Sequence, residues 1–474
     1  MLVAMAGLAS SADRSGGAVT FHRDVLPILQ KRCQECHRPG EIGPMPLLSY
    51  RDVRPWAKAI REAVLSGKMP PWPADSGVGR FRNDGRLASS EIKTLTGWAE
   101  SGAIEGDPGE APPRREFFEG WRIGRPDLVF EMPEAYEVPA SGVVEYTYVI
   151  LPSGFTEDRW IQLAEIRPGN RAVVHHSSAW IRPKESRWLG NHRPGKAFVP
   201  VEQTRRDPTR LLASTFAGVT PLDEALVGYA PGRSPGMLPP GQAILVPAHA
   251  DFVFQLHYTP NGKAATDRSR LGLVFAKRPP VERVFRGGVS NDTFVIPAGA
   301  TNHRVNGAIT VNADCKLISM RPHMHLRGKA MEFRAVYPTG ESELLLRVPR
   351  YDFNWQFDYV LEHPKLLPKG TRIEVVGVFD NSRNNPANPD PAAEVRWGDQ
   401  TWEEMMTGQF ELRGYDEETT CRDLGNDCVI VGGGTGPGHF LQQPFLLQRG
   451  EHDHGSGDIR VVPGCARKPG LQYR

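Results

Sequence analysis

The sequence has no apolar run approaching the roughly 18 residues of a membrane span. It also lacks an excess of charge of either sign. Lys+Arg total 57 against Asp+Glu 55, a formal net charge of +2 with the signs interspersed, so there is no basic face to gather phosphates and nucleic acid is not an expected partner. The CxxC at Cys33 and Cys36 has no second CxxC or suitably spaced His pair near it to complete a four-ligand zinc site. After about residue 110 long helical periodicity disappears. The 49 glycines and 42 prolines are spread along the chain, as expected of short strands joined by turns. A chain of 474 residues accommodates about three domains, here a helical head and a β-rich body.

Residues 1–18 open with MLVAMAGLASSA, similar to the apolar and small-residue end of a secretory signal, but without its positive start. In the head, Phe21, Val25, Ile28 and Leu29 recur at helical spacing and lead into Cys33-Gln34-Glu35-Cys36-His37. This is the CxxCH pattern of covalent haem attachment. Two thiols three positions apart on one turn reach both vinyl groups, and the following imidazole meets the iron. Met69, in the Pro-rigid run Ser66 to Trp72, is expected as the opposite axial ligand, with His22 as its rival. A last helix is predicted from Ser89 or Ser90 through Ile92, Leu95, Trp98 and Ala99 to Gly102. An all-α cytochrome c domain is therefore expected over 19–104, followed by an extended linker at 105–114. Haem c attachment favours export, to a periplasmic or extracellular location. Cys315, Cys421, Cys428 and Cys465 form an even set compatible with two disulfides there.

Two histidine constellations stand out in the body. Asp251 to Tyr258 (DFVFQLHY) alternates, with Phe252, Phe254, Leu256 and Tyr258 on one face and Val253, Gln255 and His257 on the other. His175 and His176 are adjacent in a strand-like run (AVVHHSSAWI), so sharing one metal requires the strand to end or bulge there, or the two rings to use different nitrogens. Further on, Arg321-Pro322-His323-Met324-His325 holds an HxH pair whose β-carbons, on one strand face, would lie roughly 6 to 7 Å apart. Pro322 confines that strand to an edge or an irregular stretch. Trp402-Glu403-Glu404-Met405-Met406 then offers thioethers, and two imidazoles with one thioether favour a copper that cycles through Cu(I). No Cys adjoins either cluster, which disfavours a blue-copper site.

The ordered series HH, QLHY, HMH and EEM, spread over some 230 residues, resembles the copper type II, ascorbate-dependent monooxygenases. These are peptidylglycine α-hydroxylating monooxygenase and dopamine β-monooxygenase. The resemblance covers roughly 120–412 and extends to GYA (228–230), LPPG (238–241), YDFNWQ (351–356), DNSRNNPANPD (380–390) and GDQT (398–401). It implies two antiparallel β-sandwiches of jelly-roll type, over 115–282 and 283–445, before a polar tail at 446–474. It further implies two copper ions facing each other across a solvent cleft. His175, His176 and His257 would hold the electron-storing copper, and His323, His325 and Met405 the oxygen-binding copper, with Met406 a lesser alternative to Met405. Arg321 matches a residue that grips a substrate carboxylate in the peptide enzyme, but Thr407 and Gln409 stand where its Asn and Tyr partners would be. The first sandwich also contains no cysteine, unlike its disulfide-bearing animal relatives.

The activity so implied is hydroxylation of an activated C–H bond of a small molecule with O2. Electrons would come from an external reductant or redox partner by way of the tethered haem. Two rival readings are a non-catalytic copper and haem electron-transfer protein, and a zinc hydrolase using the HxH pair. His192, His249, His303 and His363 read as ordinary hydrogen-bonded positions, and His439, His452 and His454 as solvated ones.

Overall fold

The computed structural model describes residues 18–200, 224–230, 235–414 and 431–432, apart from positions 40, 42, 118, 119, 187 and 312. The leader-like segment 1–17, Cys421, Cys428, Cys465 and the tail 446–474 lie outside the described residues. Cys315 is buried at the start of a core strand.

Strands begin at Leu128 and dominate everything after it. In the first sandwich, Thr147–Pro152, Asp251–Tyr258, Val174–Arg182 and Glu224–Tyr229 form a four-stranded sheet in that spatial order. The predicted alternation in DFVFQLHY is realised. Phe252, Phe254, Leu256 and Tyr258 enter the core between the sheets, while Val253 on the other face joins a smaller cluster with Tyr148, Trp180 and Trp188. His257 shares that outer face, turned away from the sandwich's own core.

The second sandwich packs the sheet of Ser342–Val348, Gly328–Val336, Arg372–Phe379 and His303–Thr310 against Glu282–Asn291, Met406–Gly414, Cys315–His323 and Tyr359–Leu367. Its core includes Phe333, Phe379, Met331, Val375 and Trp397. The sandwiches are not merely side by side. A short parallel pairing, Glu282 with Gln242 and Arg283 with Ala243, fuses one sheet of each into a single nine-stranded sheet.

The expectation of an all-α cytochrome c domain over 19–104 is corrected. The protein is mostly β-sheet, and the helices of the head are short: Leu26–Arg32, Tyr50–Val53, Ala57–Leu65 and Ser89–Glu100, with single turns at Phe21–Val25 and Arg54–Trp56. They enclose a small core containing Phe21, Leu29, Leu95 and Trp98. Between 66 and 88 there is no helix. Pro70, Pro71 and Pro73 remove backbone donors there, and the large rings of Trp72 and Phe81 are buried in the second sandwich instead. Trp72 lies edge-on to Tyr359 at 5.0 Å, Phe81 bridges to Leu361, and Asp75 N–H donates to the Arg347 carbonyl at 2.8 Å. The head is thus partly an extension of the β body. The 105–114 segment also lies against the head, His22 N–H donating to the Glu105 carbonyl and the Gln30 amide to that of Pro113.

Candidate metal centre

His175 and His176 reach one site through a β-bulge. Val174 pairs with Tyr258 and His176 with His257, so His175 is the extra residue between them. His175 Nδ1 stands 3.3 Å from His257 Nδ1, which is 3.1 Å from His176 Nε2, and one ligand atom from each ring falls within 4.8 Å of the others. Nitrogens roughly 2 Å from one ion at tetrahedral angles would be roughly 3.3 Å apart, so this donor set fits a shared metal ion. Burial holds all three imidazoles neutral, lowering His175 to about 4 and His257 to about 3, and driving His176 well down with help from its neighbours. Neutral imidazole is the ligating form.

The HxH pair is built differently from a strand face. The Cys315–His323 strand ends at its first histidine. Pairing with Tyr359–Leu367 stops at Met320, which leaves Pro322 on a locally open edge. Beyond it, Glu404 accepts the N–H groups of His325 at 2.8 Å and Arg327 at 2.6 Å, drawing the chain out of the sheet. Arg327 is buried and donates to Asn381 Oδ1 and the Trp402 carbonyl, both at 2.8 Å, so the DNSRNNPANPD turn props the same loop. The two rings lie 5.3 Å apart, nearly perpendicular. His323 Nδ1 is 2.7 Å from Gln356 Oε1 and His325 Nδ1 is 3.3 Å from the Glu403 carbonyl, leaving each Nε2 for a ligand. His325 Nε2 is buried without a hydrogen-bond partner. Burial lowers His323 to about 4 and His325 well below the usual range.

Met405 and Met406 are both buried in the second core but meet different neighbours. Met406 packs into the second core over Gly377 and Gly307, whereas Met405 lines a cavity with His323, Arg321 and, from the first sandwich, His176 and Tyr229. The cavity is open to solvent and has a volume of about 50 Å³. The two histidine sets are not divided by solvent alone. Tyr146 stacks on His257 at 4.8 Å, points its hydroxyl to within 3.0 Å of His176 Nε2 and faces His325 at 6.4 Å. Phe353 lies 5.4 Å from His175 and 5.8 Å from His325. The Tyr146 N–H donates to Gln400 Oε1, so GDQT of the second sandwich reaches the first. Sequence reasoning missed Tyr146 and gave no role to Phe353, Gln356, Gln400 or Asn381, although all but Tyr146 lie in motifs it had singled out.

In the head, the Cys33–His37 segment forms a closed turn, with His37 N–H donating to the Cys33 carbonyl at 3.0 Å. His37 Nδ1 lies 3.2 Å from the Met45 carbonyl, which leaves Nε2 available. Gly43 packs so tightly on this turn that a Cβ there would stand 2.8 Å from His37 Nδ1. Burial and Cys36 push the Cys33 thiol up to about 12. Met69 is half-buried just past the Ala57–Leu65 helix, its N–H on the Ala63 carbonyl. His22 is near Glu105, with Nε2 3.4 Å from the carboxylate. Of the histidines read as ordinary, His192 stacks on Phe198 and His249 donates its backbone N–H to Phe155.

No protein-family profile and no curated protein matches the chain. Among solved structures, the VP2 subviral particle of infectious bursal disease virus aligns at 8% identity over 62% of this chain and 73% of that one, with a TM-score of 0.16. The Gx strain of the same virus aligns at 7% identity over 66% and 86%, also at 0.16. Likenesses of that size carry no argument about fold or function. No helix among the described residues is long and apolar enough to cross a membrane.

Proposed function

We propose that the protein is a copper-dependent monooxygenase that hydroxylates an activated C–H bond with O2 and receives electrons through a haem c at Cys33, Cys36 and His37, outside the cytoplasm. The observation that carries this reading is the convergence of His175, His176 and His257 within 4.8 Å, beside a cavity whose other wall holds His323 and Met405. The net reaction is R–H + O2 + 2 electrons + 2 protons giving R–OH + water.

His175, His176 and His257 would hold one copper, and His323, His325 and Met405 the other. Bound copper supplies single-electron transfer and activation of O2, and a thioether ligand favours the reduced ion. The chain's own residues prepare the ground. Gln356 and the Glu403 carbonyl fix the ring orientations of the HxH pair. Tyr146 and Phe353 place aromatic rings against both sets. A zinc hydrolase would need a carboxylate ligand or base beside the HxH pair, but Glu404 spends both oxygens on backbone N–H groups.

Electron entry through the head is supported by its attachment. Glu41, four residues beyond His37, pairs with Arg171, whose guanidinium lies 5.9 Å from the ring of the cavity residue Tyr229. Glu35, inside the CxxCH turn, pairs with Arg115 at 2.7 Å. Met69, or His22, would complete the haem ligation.

The test is oxygen uptake by the copper-loaded chain on addition of ascorbate, with the EPR spectrum of the oxidised protein recorded first. The proposal expects type II copper signals, haem absorbance that survives acid-acetone extraction, and uptake that His323→Ala abolishes. Copper reduction without oxygen uptake would mark a carrier protein instead.

A further inference from the structure

The wall of the cavity beside His323 bears on what the enzyme accepts, and the inference rests on the monooxygenase reading given above. Among the described residues, Arg321 is the one formally charged side chain lining the cavity apart from the histidines. It is fully engaged. Arg321 faces Gln409 directly across the antiparallel pair Cys315–His323 and Met406–Gly414. Its Nε donates to Gln409 Oε1 at 2.6 Å, and Nη2 donates to the same oxygen. On its other side Nη1 lies 3.6 Å from Asp358 Oδ1, and the two side chains are only 16% and 30% exposed.

We propose that the cavity takes an uncharged, ring-bearing substrate with neutral hydrogen-bonding groups, and that Asp358 and Gln409 set this selectivity by occupying Arg321. A substrate carboxylate reaching Arg321 would have to displace Gln409 and then sit beside the Asp358 carboxylate. Like charges so placed oppose binding strongly. The rest of the wall suits a neutral molecule. Trp180 and Tyr229 line it with aromatic side chains, and Ser178 and Gln255 with neutral polar ones. Asp358 and Gln409 act as specificity-determining residues through Arg321, one by charge and one by holding the donors.

The experiment uses the full chain loaded with copper and held reduced without oxygen, so that bound probes are not turned over. Phenylacetamide and phenylacetate, alike in shape and different in charge, are titrated by calorimetry, and copper per chain is measured on the same samples. The amide should bind about ten-fold more tightly in the wild type, and Asp358→Asn should erase or reverse that ratio by unmasking the guanidinium. If that variant does not fold, Gln409→Ala frees Nε and Nη2 instead and should narrow the ratio, with Asp358 still opposing the acid. Equal or tighter binding of phenylacetate to the wild type, or no binding of either probe at millimolar concentration, would overturn the neutral-substrate inference. In both cases a count of two coppers per chain leaves the monooxygenase reading standing, whereas a chain that binds no copper sinks that reading itself.

Discussion

At Gly408 the second sandwich leaves no room for a side chain. A Cβ there would stand 2.6 Å from Val375 Cγ2 and 2.8 Å from Phe333 Cε1. Gly408 also lies opposite Pro322, at the point where the strand delivers His323. Gly408→Ala is expected to lower stability by about 1–3 kcal/mol through overpacking, read as a drop in thermal midpoint, and to weaken metal retention at His323. Met405→His asks a different question of a neighbouring residue. As a ligand, Met405 replaced by imidazole should keep copper but favour its oxidised form, so oxygen uptake should fall by about 100-fold with little change in the melt. A Met405 that only packs would show the reverse, a lowered melt and uptake in proportion to folded protein. The histidines stood out because adjacent and alternate imidazoles are an uncommon pattern, and Met405 was singled out over Met406 by the family resemblance alone. Tyr146 was not, because one aromatic in a strand reads like any core residue. Only the folded chain brings it between His257 and His325.

Among the elements, the loop Met324 to Arg327 depends on a single carboxylate. Glu404 is buried, and burial pushes it up to about 8 despite the N–H groups of His325 and Arg327 that favour its charge. Glu404→Ala would leave two buried N–H groups unpartnered, at about 1–3 kcal/mol each. The variant should lose metal at His323 and His325 while retaining it at His175, His176 and His257, an outcome read by metal analysis of the folded fraction. Loss at both sites in equal measure would mean that Glu404 supports the fold as a whole. Strand periodicity placed both HxH rings on one strand face. It could not anticipate that a side chain distant in sequence would take over the sheet's hydrogen bonds after His323. The bulge at His175, by contrast, was one of the ways the sequence left open for adjacent histidines to reach one site.

For the whole molecule, the join between sandwiches is ionic as well as hydrogen-bonded. Glu224 accepts the N–H of Arg286 at 3.1 Å and lies 3.7 Å from Arg283, while Arg286 also pairs with Glu411 at 3.1 Å. Burial outweighs both arginines and raises Glu224 to about 7. Because the folded value exceeds the ordinary one, its contribution to stability is present in full below about pH 4.5 and is lost as pH rises through about 7. The loss is about 3 kcal/mol at most. Glu224→Gln should flatten the pH dependence of denaturant midpoints across that window; an unchanged slope would assign it to other groups. The head shows where local patterns run out. Its first and last helices were readable from apolar spacing and the CxxCH turn, but Tyr50–Val53 and Ala57–Leu65 were not anticipated. Nor was the fate of Trp72 and Phe81, since their partners, Tyr359 and Leu361, come nearly 300 residues later. The central claim is that two separate metal sites, one on each sandwich, share this cavity. Its most direct measurement is copper per chain in His257→Ala and His323→Ala beside the wild type. Two coppers in the wild type and one in each variant, with oxygen uptake lost in His323→Ala, is the predicted result; two coppers retained in both variants would contradict it.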